Sequence, residues 1–467
     1  MYQIVDHSKN RKTIVVIAYP AVGHVNGCRN ALANSLIKYG HRVIFIIGKA
    51  FRGKLLPYGF EELICAEFDD DDDDNHNSNN DPAAKLARHL LEFDNMLAIK
   101  NLSIEKRLEN LIKMFSTLLP DFIIKTDEYL KKMIKTIGKI DLFIVDDVQQ
   151  YPAIMDAKDI PLIQCITSMP NTQAKDTSLP PPFTGLESNL SIKEYEPYYS
   201  IIEKTFNEDR INESVAKLGY KNLWISSLFT PPKYPNYPLR QCLTVYAYPK
   251  ELNHPKIESR PDWFNLEVFA KNSYDKTIDL EKLVGAELFH DQLGGRFSGK
   301  WIYLSLGSMG SIDINLMLRL TRILALTDHK YIVSKGLRHN EYELPGHNMW
   351  GTNHVPQIEI LPLMDLVITH GGNNTVTETF AQGKPMIVMP LFGDQLDNAQ
   401  RLHETGYGRR LDPYGFQDQQ LLDTINELLY DEMLNEKLRK ASERIKQSNS
   451  FKEFVGIAEK IMDKNEK

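Results

Sequence analysis

Residues 354–395, HVPQIEILPLMDLVITHGGNNTVTETFAQGKPMIVMPLFGDQ, gather side chains that could bind a charged, hydroxyl-rich ligand. An apolar run of strand type, LVIT at 366–369, stops at His370-Gly371-Gly372 and gives way to a helix-like stretch at Asn373, Asn374 and Thr375. The two glycines let backbone approach a ligand closely, and a helix start aims free N–H groups and the positive pole of its dipole at it. Such an end suits a phosphate or diphosphate. His370 can donate to a phosphate oxygen, Asn374 and Thr375 add neutral donors, and Glu378, four positions after Asn374, can accept from a ribose hydroxyl. A second apolar run, 386–390, ends in Leu391-Phe392-Gly393-Asp394-Gln395, placing further acceptors and a donor at the matching sheet edge. A diphosphate cradle beside a hydroxyl-binding set implies a nucleotide sugar.

Those residues need sheets to hold them. A chain of 467 residues exceeds one ordinary core, so two domains are expected. Residues 13–18 (TIVVIA) form a buried strand, Tyr19-Pro20-Ala21-Val22-Gly23-His24 a loop, 27–38 a helix and 43–47 the next strand. That β-α-β opening starts a parallel sheet and puts His24 at the carboxyl edge, where open α/β sheets bind ligands. Strands follow at 141–145, ending in Asp146-Asp147, and at 161–167 and 241–246, with 263–268 closing the first domain. The polar stretch 271–276 is the best linker. The second sheet opens at 301–306, runs into Gly307-Ser308-Met309-Gly310-Ser311, and continues at 330–333 and 348–350. Residues 83–137 read as a helical cover that helps shape a pocket, and 169–185 as a loop. The aromatics of 191–235 (Tyr195, Tyr198, Tyr199, Phe206, Tyr220, Trp224, Phe229) read as packing. The tail, 419–429 and 435–464, is helical by pattern, and 451–464 has an apolar face.

Composition narrows the class. Hydrophobic content of 42% and charged content of 25% describe an ordinary globular protein, and a net charge of −7 without a basic cluster argues against nucleic-acid binding. Cys28, Cys65, Cys165 and Cys242 lack metal or disulfide spacing and read as reduced thiols. The six aspartates at 69–74, continued by NHNSNNDP, read as a solvated low-complexity loop rather than a metal site. No Gly-x-Gly-x-x-Gly follows the first strand, which disfavours a dehydrogenase. The polar N-terminus and the lack of any membrane-length apolar stretch give the expectation of a soluble, cytoplasmic protein without a signal peptide or stable membrane insertion.

Pro356-Gln357, His370, Gly372, Asn374, Thr375, Glu378 and Asp394-Gln395 resemble, in type and spacing, the donor-binding signature of the UDP-glycosyltransferases, family 1 of the inverting glycosyltransferases. The resemblance implies an α/β GT-B fold, two Rossmann-like domains facing across a cleft with the last helix returning to the first. It places an acceptor-binding domain at 1–270, a linker at 271–285, a nucleotide-sugar domain at 286–448 and the returning helix at 449–467. It also implies His24, after Gly23, as general base, and Asp146 as its partner, with adjacent Asp147 leaving a one-residue shift open. The implied donor set is Gly23, Gly307, Ser308, His354, Val355, Gln357, His370, Gly372, Asn374, Thr375, Glu378, Asp394 and Gln395. The implied reaction is inverting transfer of a hexose, glucose first, from a UDP-sugar co-substrate to a small lipophilic acceptor, without metal or cofactor. Two positions depart from the pattern. His354 stands where the family has a uracil-stacking Trp, and Asn373 where plant members commonly have a Trp near the sugar. The alternatives are a lipid- or carotenoid-type or other-nucleotide enzyme of the same fold, or a non-catalytic nucleotide-sugar binder. The presence of both His24 and Asp146 speaks against the latter.

Overall fold

A computed structural model describes residues 11–19, 21–65, 102–147, 151–206, 208–220, 223, 242–270, 278–290 and 299–464. The aspartate run at 69–74, the first part of the helical cover (83–101), Pro20, Trp224, Phe229 and the linker stretch 271–276 lie outside the described residues.

The first sheet comprises β1 (Thr13–Ile17), β2 (Arg42–Ile47), β3 (Glu61–Ile64), β4 (Leu142–Asp146), β5 (Leu162–Ile166), β6 (Leu243–Tyr246) and β7 (Trp263–Asn265). All its pairings are parallel, in the order β3-β2-β1-β4-β5-β6-β7. The second comprises β8 (Trp301–Ser305), β9 (Lys330–Ser334), β10 (Met349–Thr352), β11 (Leu366–Thr369), β12 (Met386–Val388) and β13 (Gly408–Arg410), ordered β10-β9-β8-β11-β12-β13 and again parallel. Each order reverses direction once, between β1 and β4 and between β8 and β11. Crevices open at such points beyond the carboxyl ends of the strands. His24 and Asp146 follow from the first reversal, Gly307-Ser308 and His370-Gly371-Gly372 from the second.

Burial on both faces explains the near-continuous apolar strands. In β1, Val15 and Ile17 face a cluster containing Leu108, Ile112 and Ile123 of the helix Ile104–Ile137. Ile14 and Val16 face the opposite cluster, with Leu32 and Leu36. Phe451, Phe454, Val455, Ala458 and Met462 of the last helix, Ser450–Lys464, join that second cluster. The tail therefore does pack back on the first domain, and Lys12–Asp463 (3.3 Å) and His41–Glu459 (3.4 Å) flank the contact. Tyr195 and Tyr199 are buried with their hydroxyls on the carbonyls of Glu187 and Asp176, in keeping with packing.

The structure departs from the sequence expectation after β1. Gly23 and His24 lie not in a loop but in a helix, Val22–Gly27, which passes through a π-helical turn, Cys28–Ala33, into Asn34–Lys38. Two glycines within six residues depress helix propensity, so local sequence points to a loop that tertiary packing overrides. The helix Gln395–Glu404 was also not anticipated, and Asp394-Gln395 form its start. Among the described residues no helix is long and apolar enough to cross a membrane.

Candidate active site

His24 is the third residue of the helix after β1, with 26% of its side chain exposed. Its Nδ1 lies 2.9 Å from Oδ2 and 3.2 Å from Oδ1 of Asp146, the buried last residue of β4. Thr167 Oγ1 lies 2.6 Å from the same nitrogen and donates to either aspartate at 3.2 Å. With Nδ1 occupied, Nε2 is the nitrogen left for another partner. Asp147 is turned elsewhere: it accepts from Thr167 N (3.0 Å) and Ser168 Oγ (2.9 Å), fixing the chain beyond β5. Of the two adjacent aspartates, Asp146 is the one hydrogen-bonded to His24.

Burial is the strongest influence on His24 and disfavours its imidazolium, but Asp146 above all, then Asp147 and Asp394, outweigh it and raise the pKa to about 9. Asp147 is pushed up to about 7 by burial and by repulsion from Asp146. Ligand atoms of His24, Asp146 and Asp147 lie within 4.8 Å of one another, so the trio could in principle hold a cation. Thr167 and Ser168 already donate to those carboxylates.

On the second domain, the ring of His370 is walled by two glycines. A Cβ at Gly307 would lie 2.6 Å from His370 Nε2, and one at Gly372 would lie 2.7 Å away. Gly307 also has φ +70°, a left-handed conformation that side chains rarely adopt. Burial lowers the His370 pKa to about 4, against a backbone hydrogen bond to Ser305, so the ring is neutral near pH 7. The helix Asn373–Ala381 begins directly after Gly372. Glu378 is buried and accepts from Gln357 Nε2 at 2.7 Å. Burial pushes its carboxyl up to about 7, while Gln357 and the charge of Arg29 pull the other way. Gln357 also reaches Thr375 Oγ1 (3.3 Å) and accepts from Tyr303 OH (3.3 Å), joining three expected residues and one unexpected one into a network.

The remaining positions divide by exposure. His354 and Ser308 are exposed, whereas Val355 is buried, which leaves its backbone as the part accessible to a ligand. Gln395 Oε1 accepts from Leu391 N (2.9 Å) and Phe392 N (3.2 Å), shaping the turn that presents Asp394. Asp394, raised to about 6 chiefly by burial, accepts from Met169 N of the first domain at 3.1 Å. Asn374, expected among the phosphate donors, directs Nδ2 to the carbonyl of Gly23 at 2.8 Å and so ties the turn bearing His24 to the segment after Gly372. Asn373 points into the domain boundary. It is buried and donates to the carbonyls of Thr167 (3.3 Å) and Ala247 (3.4 Å) across the domain boundary.

Sequence reasoning missed Thr167, Tyr303 and Arg29, whose guanidinium stacks on Tyr58 at 4.3 Å. Nothing in the neighbouring sequence distinguishes them; the parallel register of β4 with β5, which pairs Asp146 with Cys165, brings Thr167 to His24.

Two parallel α/β sheets with facing switch points define the GT-B class, and solved glycosyltransferases share the arrangement. The glycotransferase of kitacinnamycin superposes with a TM-score of 0.65 at 17% identity, covering 97% of this chain and 99% of that one. The calicheamicin glycosyltransferase CalG4 gives 0.61 at 16% identity, covering 97% and 99%. Residues 302–450 match the family described as UDP-glucoronosyl and UDP-glucosyl transferase. UDP-glucuronosyltransferases 1A9 and 1A1 of Homo sapiens are 34% identical over 90 residues, 19% of this chain and 17% of theirs, so the match spans under a fifth of these relatives. The likeness to that transferase family is thus carried by residues of the second domain.

Proposed function

We propose that the protein is an inverting glycosyltransferase that moves a hexose, glucose by preference, from a UDP-sugar to a hydroxyl or similar nucleophile of a small lipophilic acceptor. The observation that carries this reading is the His24–Asp146 pair at 2.9 Å on a helix turn bonded through Gly23 to the start of the donor-side helix. In this reading a base and a diphosphate cradle share one cleft.

In this reading His24 Nε2 takes the acceptor proton while Asp146 holds Nδ1–H and stabilises the imidazolium. The acceptor oxygen forms a bond to carbon 1 of the sugar as the bond from carbon 1 to the phosphate oxygen breaks, its electron pair leaving with UDP. Attack from the opposite face converts an α-linked donor into a β-glycoside. The backbone N–H groups after Gly372, neutral His370, Thr375 and Ser308 receive the charge developing on the diphosphate, without a metal ion. Glu378 and Gln357 suit the ribose hydroxyls, and Asp394 with Gln395 the hexose hydroxyls, while His354 stacks on uracil with less area than a Trp. The matched human relatives carry the UDP-linked donor in their names, which supports the nucleotide assignment.

Proton NMR of the product formed from UDP-glucose and a panel of phenols and flavonoids tests the stereochemistry. The large anomeric coupling of a β-glucoside is expected, and an α-glucoside would overturn the single-displacement mechanism.

A further inference from the structure

The helix that begins at Asp394-Gln395 also holds a loop of the opposite domain. Asp397, buried in the interface, accepts from Phe183 N through Oδ2 (2.7 Å) and from Gly185 N through Oδ1 (2.8 Å). Arg410 Nη1, from β13, donates to the carbonyl of Gly185 at 2.8 Å. One helical turn beyond Asp397, Arg401 donates to Ser188 Oγ (3.0 Å) and to the carbonyl of Leu252 (2.8 Å), and Glu404 accepts from Ser188 N (3.0 Å). Positions 394, 397, 401 and 404 recur at helical spacing, so one face of this helix grips first-domain segments between Met169 and Leu252.

The gripped backbone is strained. Phe183, at φ 68°, is one of three non-glycine residues with positive φ among the described residues. Such a conformation costs about 1–3 kcal/mol and persists only where its surroundings over-determine it. Asp397 supplies that determination by binding the N–H groups on both sides of Thr184. Gly185, at φ +62°, is seated so closely that a Cβ would come 2.9 Å from the carbonyl of Leu396. The Phe183 ring enters the apolar cluster of Tyr151, Tyr195 and Tyr199, against which Tyr19 packs, and Tyr19 meets His24 edge-on at 5.4 Å. The loop therefore shares an apolar cluster with Tyr19, the ring neighbour of His24, while being tied to the other domain.

We infer that Asp397 is a positioning residue for the acceptor: by fixing the strained turn at Phe183–Gly185, it makes the helix that starts with the donor-side pair Asp394-Gln395 set the shape of the acceptor pocket. The assignment of donor and acceptor sides rests on the function proposed above; the latch itself rests on the hydrogen bonds.

The test uses the full chain with Asp397→Asn, which keeps the size but turns an NH2 toward one of the two backbone N–H groups, and Gly185→Ala, which disturbs the same seat from the loop side. Hydrogen–deuterium exchange of residues 181–188 is expected to quicken about tenfold or more in both variants, with 366–381 unchanged. Acceptor KM is expected to rise about tenfold, with the preference among acceptors altered, while donor KM stays within about twofold. Unchanged exchange in the loop, or equal rises in donor and acceptor KM with exchange quickened throughout, would overturn the proposal. Should one variant fail to fold, the other decides. If the wild-type protein transfers no sugar, the proposed function fails, while loop exchange still decides whether the latch exists.

Discussion

His24 sits beside two carboxylates and within the field of a third, and its titration should govern the pH dependence of turnover. A base held near a pKa of about 9 is protonated at neutral pH, so kcat/KM of the free protein should climb with pH until about 9. Asp146→Asn removes the largest influence that favours the imidazolium. The climbing limb should then shift to lower pH, and kcat should fall about 10²–10⁴-fold as the imidazole loses its orienting partner. A pH–rate profile of both proteins checks the sign, and a limb that stays in place would remove Asp146 from this role. The same shift links to stability. Because the folded-state pKa lies above the ordinary 6.5, the contribution of His24 is fully present below pH 6.5 and is lost as pH rises through about 9. His354 is exposed where a larger ring would stack, so His354→Trp should tighten UDP several-fold by calorimetry, and unchanged affinity would separate this position from the base. Asp146 stands out as a polar residue ending a buried strand, but its pairing with His24 was legible only through the resemblance to the UDP-glycosyltransferases. Thr167 was not, because a threonine ending an apolar run looks alike wherever it occurs.

At the scale of elements, the donor side depends on backbone that admits an imidazole between two glycines. Gly307→Ala places a methyl 2.6 Å from His370 Nε2 in a left-handed conformation, so the ring must move. A penalty of about 1–3 kcal/mol would weaken UDP binding about 5- to 150-fold, checked by titrating UDP against Tm. Retained affinity would show that His370 does not contribute to donor binding. The unit β11–helix–β12 was readable because strand, glycine pair and helix start follow one another within a few residues. The helix after β1 was not, because Gly23 and Gly27 argue against it locally while the sheet beneath stabilises it. The helix Gln395–Glu404 escaped for a different reason: its charged face is buried against the first domain, and sequence alone makes that face look solvated.

The whole molecule is two sheets whose switch points face one another, joined again by a tail that crosses back. Arg444 of the helix Glu432–Gln447 binds Glu251 (2.7 Å) and Glu267 (2.5 Å), both from the end of the first domain. Glu267 is nearly buried and has φ 67°, so losing Arg444 leaves this carboxylate, in a strained backbone, with Lys250 at 3.8 Å. Arg444→Ala should cost about 1–3 kcal/mol, less than a fully buried pair because Arg444 is 37% exposed, and should lower Tm with UDP affinity retained. A loss of UDP binding instead would mean that the tail shapes the donor site directly. Two domains were expected from chain length, and the returning helix from the resemblance, with the apolar face of 451–464 compatible with it. The contacts that lock the domains join residues up to 351 positions apart, as in Asn374 with Gly23, and no local pattern carries them.

The most direct test of the central claim is UDP release from UDP-glucose with a panel of phenols and flavonoids, run for the wild-type protein and His24→Ala, each with and without EDTA. The account predicts acceptor-dependent release by the wild type that persists in EDTA and falls at least about a hundredfold in His24→Ala, with UDP binding unchanged. Release that stops in EDTA, or that survives the loss of His24, would contradict it.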